Sequence, residues 1–126
     1  MLDEVSRLLE LDLHTIDGIA VSAGPGSFTG LRIGSATAKG LGLALKKPLL
    51  AVPTVEALAY NLWGSSALIC PIMDARRSQV YTGLYYAEEE LQTEKEPCAM
   101  DMHELISELN ARGERTVFLG DGVPVY

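Results

Sequence analysis

The segment from Gly30 to Leu45 constrains the fold more than any other part of the chain. Gly30, Gly34, Ala38 and Gly42 recur every four residues, and Ala36, Gly40 and Ala44 form a second row at the same spacing. At about 100° per residue, these rows with Leu31, Ile33, Leu41 and Leu45 cover roughly two-thirds of a helix circumference. Arg32, Lys39 and Lys46 share the remaining polar strip. Glycine in a helix interior costs about 1 kcal/mol relative to alanine, so this spacing requires a compensating contact. Close backbone approach supplies one, because a missing side chain lets another element come nearer. One sheet covers only one face of a helix. So wide a small-residue surface fits either a second packed surface, within the chain or on another protein, or a central helix between a sheet and its own neighbours.

The flanking sequence supplies the sheet. Gly18-Ile-Ala-Val-Ser-Ala23 is an apolar run that reads as a buried strand, and Gly24-Pro-Gly-Ser-Phe-Thr-Gly30 is a tight loop leading into the helix. Pro48–Val52 reads as a second buried strand. Thr54 caps a further helix to about Trp63, with Glu56 in its first turn where an acid suits the dipole. Ahead of all these, Leu2, Val5, Leu8 and Leu9 share one stripe of an amphipathic helix over residues 2–11. Strand, helix, strand and helix at these distances predict an α/β chain with a parallel sheet.

Beyond Gly64 the pattern changes. Ala67–Asp74 and Gln79–Tyr86 read as two strands of a hairpin, with a weaker third strand in 88–100. Asp101-Met-His-Glu104 has capping-box-like spacing and opens a helix to about Arg112, followed by a strand at Thr116–Gly120. Residues 1–64 thus read α-β-α-β-α, and residues 65–126 read β-β-β-α-β. These fit two lobes on one plan, the first without its opening strands and the second without its end.

Composition narrows the function classes. The 126 residues are 48% hydrophobic and 21% charged, which excludes a disordered chain. The net charge of −7 lies entirely in residues 87–126, where ten acids face three bases. Nucleic-acid binding by bulk charge is therefore excluded, leaving only a local basic surface for that purpose. Asp3, Glu4 and Arg7 interrupt the region where a secretory signal would be apolar, and no stretch reaches the ~20 apolar residues of a membrane span. Cys70 and Cys98 form no C-x-x-C pair. The expectation is a cytoplasmic protein with inert thiols and no membrane partner.

Motifs for catalysis are sparse. Gly24, Gly26, Ser27, Thr29 and Gly30 form a candidate phosphate loop between a strand and a helix. No Gly-Lys-Ser/Thr follows, Thr29 stands where a dinucleotide fingerprint has its third glycine, and a simple sharp turn explains the glycines as well. Ser22, Ser27 and Thr29 have no histidine or lysine at a readable spacing, so no catalytic residue is assigned. Asp74 with Arg76 and Arg77 reads as an ion pair that stabilises a turn, or as an anion site.

Ile19 through Gly34, Ala38-Lys-Gly-Leu41, Val52-Pro-Thr-Val-Glu-Ala-Leu58 and Pro71-Ile-Met-Asp-Ala-Arg-Arg77 with Val80-Tyr81 closely resemble the TsaB (YeaZ) family. The resemblance covers most of residues 1–86, where it is specific, and is loose beyond. It implies the actin-like ATPase (ASKHA, ribonuclease H-like) fold, in which two related β-β-β-α-β-α-β-α lobes face each other. The lobes here would be residues 1–64 and 65–126, both incomplete. The family's opening Asp-Thr-Ser strand is not among these residues, so Met1 resembles an internal methionine and the chain a fragment.

The resemblance also implies a function. Members serve in synthesis of threonylcarbamoyladenosine in tRNA, as the non-catalytic partner of the paralogue TsaD, with the ATPase TsaE completing the assembly. The paralogue's Asn-His-x-x-x-His metal motif falls here on Pro53, Thr54 and Leu58, so no metal site is expected. ATP and metal are then expected in the partner subunits and no cofactor in this one. The expected interface with TsaD, or with a second copy in its absence, comprises Leu2, Val5, Leu9, Gly30, Gly34, Ala38 and Gly42, and tRNA is met through the complex. Two alternatives stand beside this reading: a nucleotide-binding actin-like ATPase using the Gly24–Gly30 loop, and a metallopeptidase-like (glycoprotease) protein.

Overall fold

In the computed structural model, residues 2–126 are described, with side chains from Glu4 onward. The chain divides into two compact units, Met1–Val52 and Pro53–Tyr126. The second unit includes a short helix, α3 (Thr54–Ala59), whose Val55 and Ala59 are buried and which packs on strands of that unit.

In the first unit, α1 spans Leu2–Leu8, ending three residues earlier than the stripe predicted. Asp12 then caps a single 3-10 turn, accepting from the His14 amide at 2.9 Å, and this bond holds its carboxyl below the usual range. Strand β1 (Ile19–Gly24) and β2 (Leu49–Pro53) form a two-stranded sheet connected through α2 (Phe28–Leu45). Both strands were expected to be buried, and that expectation is corrected. Ala20, Ser22, Leu49 and Leu50 are exposed, while α2 packs on β1.

The second unit is a four-stranded sheet in the order β5-β4-β3-β6, formed by β3 (Ser65–Arg76), β4 (Gln79–Ala87), β5 (Leu91–Asp101) and β6 (Thr116–Leu119). β3, β4 and β5 pair antiparallel, and β6 returns parallel to β3 after α4 (Met102–Arg112). The third strand is thus eleven residues long and pairs with β4 along its length, with two register shifts around Lys95, despite its acidic sequence. Strand periodicity assigns the two faces. Leu68, Cys70, Ile72, Val80 and Leu84 meet Leu105 and Leu109 of α4, while Ile69, Tyr85 and Ala87 meet Ala59 of α3. Lys95 pairs with Glu108, and Arg112 lies 3.7–3.9 Å from Glu94, Glu108 and Glu114, so two of the unit's bases are neutralised around α4.

The β3–β4 connection is tighter than expected. Arg76 pairs with Gln79, leaving Arg77 and Ser78 as a two-residue turn. The Asp74 carboxylate accepts from the Arg76 backbone amide at 2.8 Å rather than from either guanidinium. The ion-pair reading of Asp74 with Arg76 and Arg77 is corrected accordingly.

Burial also fixes the chemistry of the cysteines. Cys70 is fully buried, its Sγ 3.4 Å from the Thr82 hydroxyl across the sheet, and desolvation pushes its thiol up to about 11. Cys98 is half-buried. Since the thiolate is the reactive form, iodoacetamide at pH 8 should modify native Cys98 first and Cys70 only on unfolding. Mass spectrometry of tryptic peptides reads the order directly.

Candidate functional site

The long helix α2 carries the site. Ser27 caps it, its hydroxyl accepting from the Gly30 amide at 3.3 Å. This cap explains why the expected loop shrinks: Phe28, Thr29 and Gly30 are already helical, and only Pro25–Ser27 connect β1 to α2. Gly24 ends β1 at φ +100°, a conformation that favours glycine. Gly24, Gly26, Ser27, Thr29 and Gly30 therefore serve as strand end, turn, cap and first helical turn. At the other end Lys46 takes the left-handed cap conformation, its amide bonded to the Gly42 carbonyl.

The two small-residue rows have different fates. Ala38 and Gly42 are buried within the first unit, with Leu31, Leu41 and Leu45 half-buried beside them. A Cβ at Gly42 would lie 2.9 Å from Leu49 Cδ2 and 3.2 Å from the Lys47 carbonyl oxygen, so glycine there permits β2 to approach. Ala38 and Gly42, expected in the partner interface, are thus buried in this chain. Gly34 is half-buried and Gly30 exposed.

The outer face is bare. Phe28, Ile33 and Leu43 are 69%, 63% and 83% exposed, with Ala36, Gly40 and Ala44 exposed between them. A Cβ on Gly40 would meet nothing within 4 Å. The Arg32 guanidinium lies 4.1 Å over the Phe28 ring, a cation–π contact. A shallow cavity of about 390 Å³ beside it is lined by Phe28, Leu31, Arg32, Ser35, Ala36 and Lys39. On α1, Val5 is exposed, and Leu8 and Leu9 are 70% and 68% exposed, Leu9 lying just past the helix end. The side chain of Leu2, also expected at the interface, lies outside the described residues. Of the residues expected at the interface, Ala38 and Gly42 are buried and Gly34 half-buried, while Phe28, Leu8 and the outer row are exposed without having been expected there. The helical phase of Ile33, Ala36, Gly40 and Leu43, opposite Ala38 and Gly42, was the available signal.

Among the described residues no group of three or more His, Cys, Asp or Glu side chains is placed to hold a metal ion. Thr54 opens α3 and Leu58 lies within it. No helix among the described residues is long and apolar enough to cross a membrane.

The fold and this match to known families define the class. Residues 1–117 match the family model described as TsaD: tRNA N6-adenosine threonylcarbamoyltransferase, and the chain has the actin-like ATPase fold. The tRNA threonylcarbamoyladenosine biosynthesis protein TsaB of Bacillus subtilis (strain 168) is 55% identical over 67 residues, covering 53% of this chain and 29% of that protein. Its namesake in Escherichia coli (strain K12) is 35% identical over 92 residues, covering 71% and 39%. The structure of YeaZ from Pseudomonas aeruginosa superposes with a TM-score of 0.70 at 29% identity, over 80% of this chain and half of that one. The chain belongs to this family, in its TsaB (YeaZ) branch. It spans well under two-thirds of the length of these relatives.

The two rows are separable by stability. Gly40→Ala should raise the unfolding free energy by up to about 1 kcal/mol, since its added methyl meets open space. Gly42→Leu should lower it by about 1–3 kcal/mol through overpacking against Leu49 and the Lys47 carbonyl. Urea titration followed by circular dichroism measures both.

Proposed function

We propose that this chain is part of an accessory subunit of tRNA threonylcarbamoyladenosine synthesis, and that it binds a TsaD homologue through the outer face of α2 together with α1. The carrying observation is the exposed apolar surface of Ile33, Ala36, Gly40, Leu43 and Ala44 on a helix whose opposite face is already used internally. Small residues at four-residue spacing let a partner helix approach closely, and Ile33 and Leu43 supply the area that closer packing buries. Val5, Leu8 and Leu9 extend the apolar supply on α1. The names of the Bacillus and Escherichia relatives support the pathway.

In this reading the chain contributes shape rather than chemistry. ATP and metal belong to TsaD and TsaE, and tRNA is met through the complex. Without TsaD the same face pairs with a second copy. The cap role of Ser27 accounts for its hydroxyl within the helix start.

Gly40→Trp and Leu43→Asp test the proposal, because both positions are exposed and neither touches the core. Each variant should retain its far-UV circular dichroism and lose co-elution with the TsaD homologue in size-exclusion chromatography. Folded variants that still co-elute would refute the assignment of this face.

A further inference from the structure

The β3–β4 turn carries a sequence that its geometry does not favour. Arg76, Arg77 and Ser78 have φ of 66°, 54° and 60°, three consecutive non-glycine residues in the left-handed region. A two-residue hairpin turn with both central residues at positive φ favours Asn-Gly, and here the pair is Arg77-Ser78. Residues held against their backbone preference point to a role for the side chains rather than for the turn.

The turn is nevertheless well fastened. Asp74 Oδ1 accepts from the Arg76 amide at 2.8 Å and from the Tyr126 hydroxyl at 3.0 Å. Asp121 Oδ1 accepts from the Asp74 amide at 3.3 Å, and the Ser78 carbonyl accepts from the Met102 amide at 2.8 Å. Both nearby carboxylates are therefore bonded to backbone or hydroxyl groups. Lys95 and Arg112, elsewhere in this acidic unit, are paired with glutamates. Arg76 and Arg77 are exposed, and among the described residues neither guanidinium forms an ion pair. Two unpaired guanidiniums on a fixed turn are donor forks whose geometry matches phosphate.

We infer that Arg76 and Arg77 form a phosphate-contact point for RNA, touching the phosphodiester backbone of tRNA bound to the assembly. The inference rests on the proposed function for its choice of RNA as the anion. The contact positions the RNA and carries no base specificity. Of the second unit's five bases, Lys95 and Arg112 are paired with glutamates and Arg115 stands alone before β6, so Arg76 and Arg77 are the adjacent pair of exposed cations that this acidic unit offers a polyanion.

The test uses the complex with the TsaD homologue and fluorescently labelled, unmodified tRNA, read by anisotropy across a salt series, with co-elution scored separately. Arg76→Gln with Arg77→Gln should weaken tRNA binding about tenfold at low salt and reduce the slope of log affinity against log salt by about 1.5–2. The loss should be similar for unrelated tRNAs. Arg77→Asn with Ser78→Gly supplies the folding control. It should raise the thermal midpoint while weakening tRNA binding. Unchanged tRNA affinity in the glutamine variant, or a wild-type complex that binds no tRNA, would overturn the inference. So would loss of co-elution with intact tRNA binding by the remaining complex, which would assign the arginines to a protein contact. Failure of the α2 variants alone to disrupt co-elution would instead count against the proposed function.

Discussion

The approach of Leu49 to Gly42 is the contact on which the first unit depends. It sets the start of β2 against the last turns of α2, on the side where Ala38 and Gly42 are buried. Once the inner phase of the helix is fixed, the outer phase follows by rotation, and Ile33, Ala36, Gly40 and Leu43 have nowhere to go but outward. A glycine at residue 42 thus determines which residues the chain presents to the outside. The glycine at residue 40 is of the opposite kind, open on all sides and unexplained by the chain's own packing.

The second unit obeys a different logic. Its sheet is covered on both faces, with α4 over Leu68, Cys70 and Ile72 and α3 over Ile69 and Tyr85. The alternation along β3 places adjacent residues in separate clusters, so this strand is buried throughout its middle. Its acidity is surface decoration around a closed core. The first unit has the reverse character, neutral in charge and open in packing, with apolar strands and an apolar helix face left exposed.

Much of this was legible in the sequence. The order of every strand and α-helix could be read from apolar runs, glycine punctuation and the Asp101 cap, because those signals are local. The α2 rows were also visible. Which row faces inward was not, since Gly42 is fixed by Leu49 from the next strand, a tertiary contact with no local signature. The exposed faces of β1 and β2 escaped for the same reason: a continuous apolar run predicts cover on both sides, whatever supplies it. The Asp74 pairing was misjudged because a carboxylate two residues before an arginine offers itself equally to the guanidinium and the backbone amide, and the tight turn selects the amide. The outer residues Phe28 and Leu8 became candidates only once burial was known.

The account turns on which face of α2 meets the partner. Hydroxyl-radical footprinting of the chain, alone and bound to the TsaD homologue, measures this side chain by side chain. The account predicts that Phe28, Ile33 and Leu43 are labelled in the free chain and protected in the complex. Equal labelling of all three residues in a complex that has formed would contradict it.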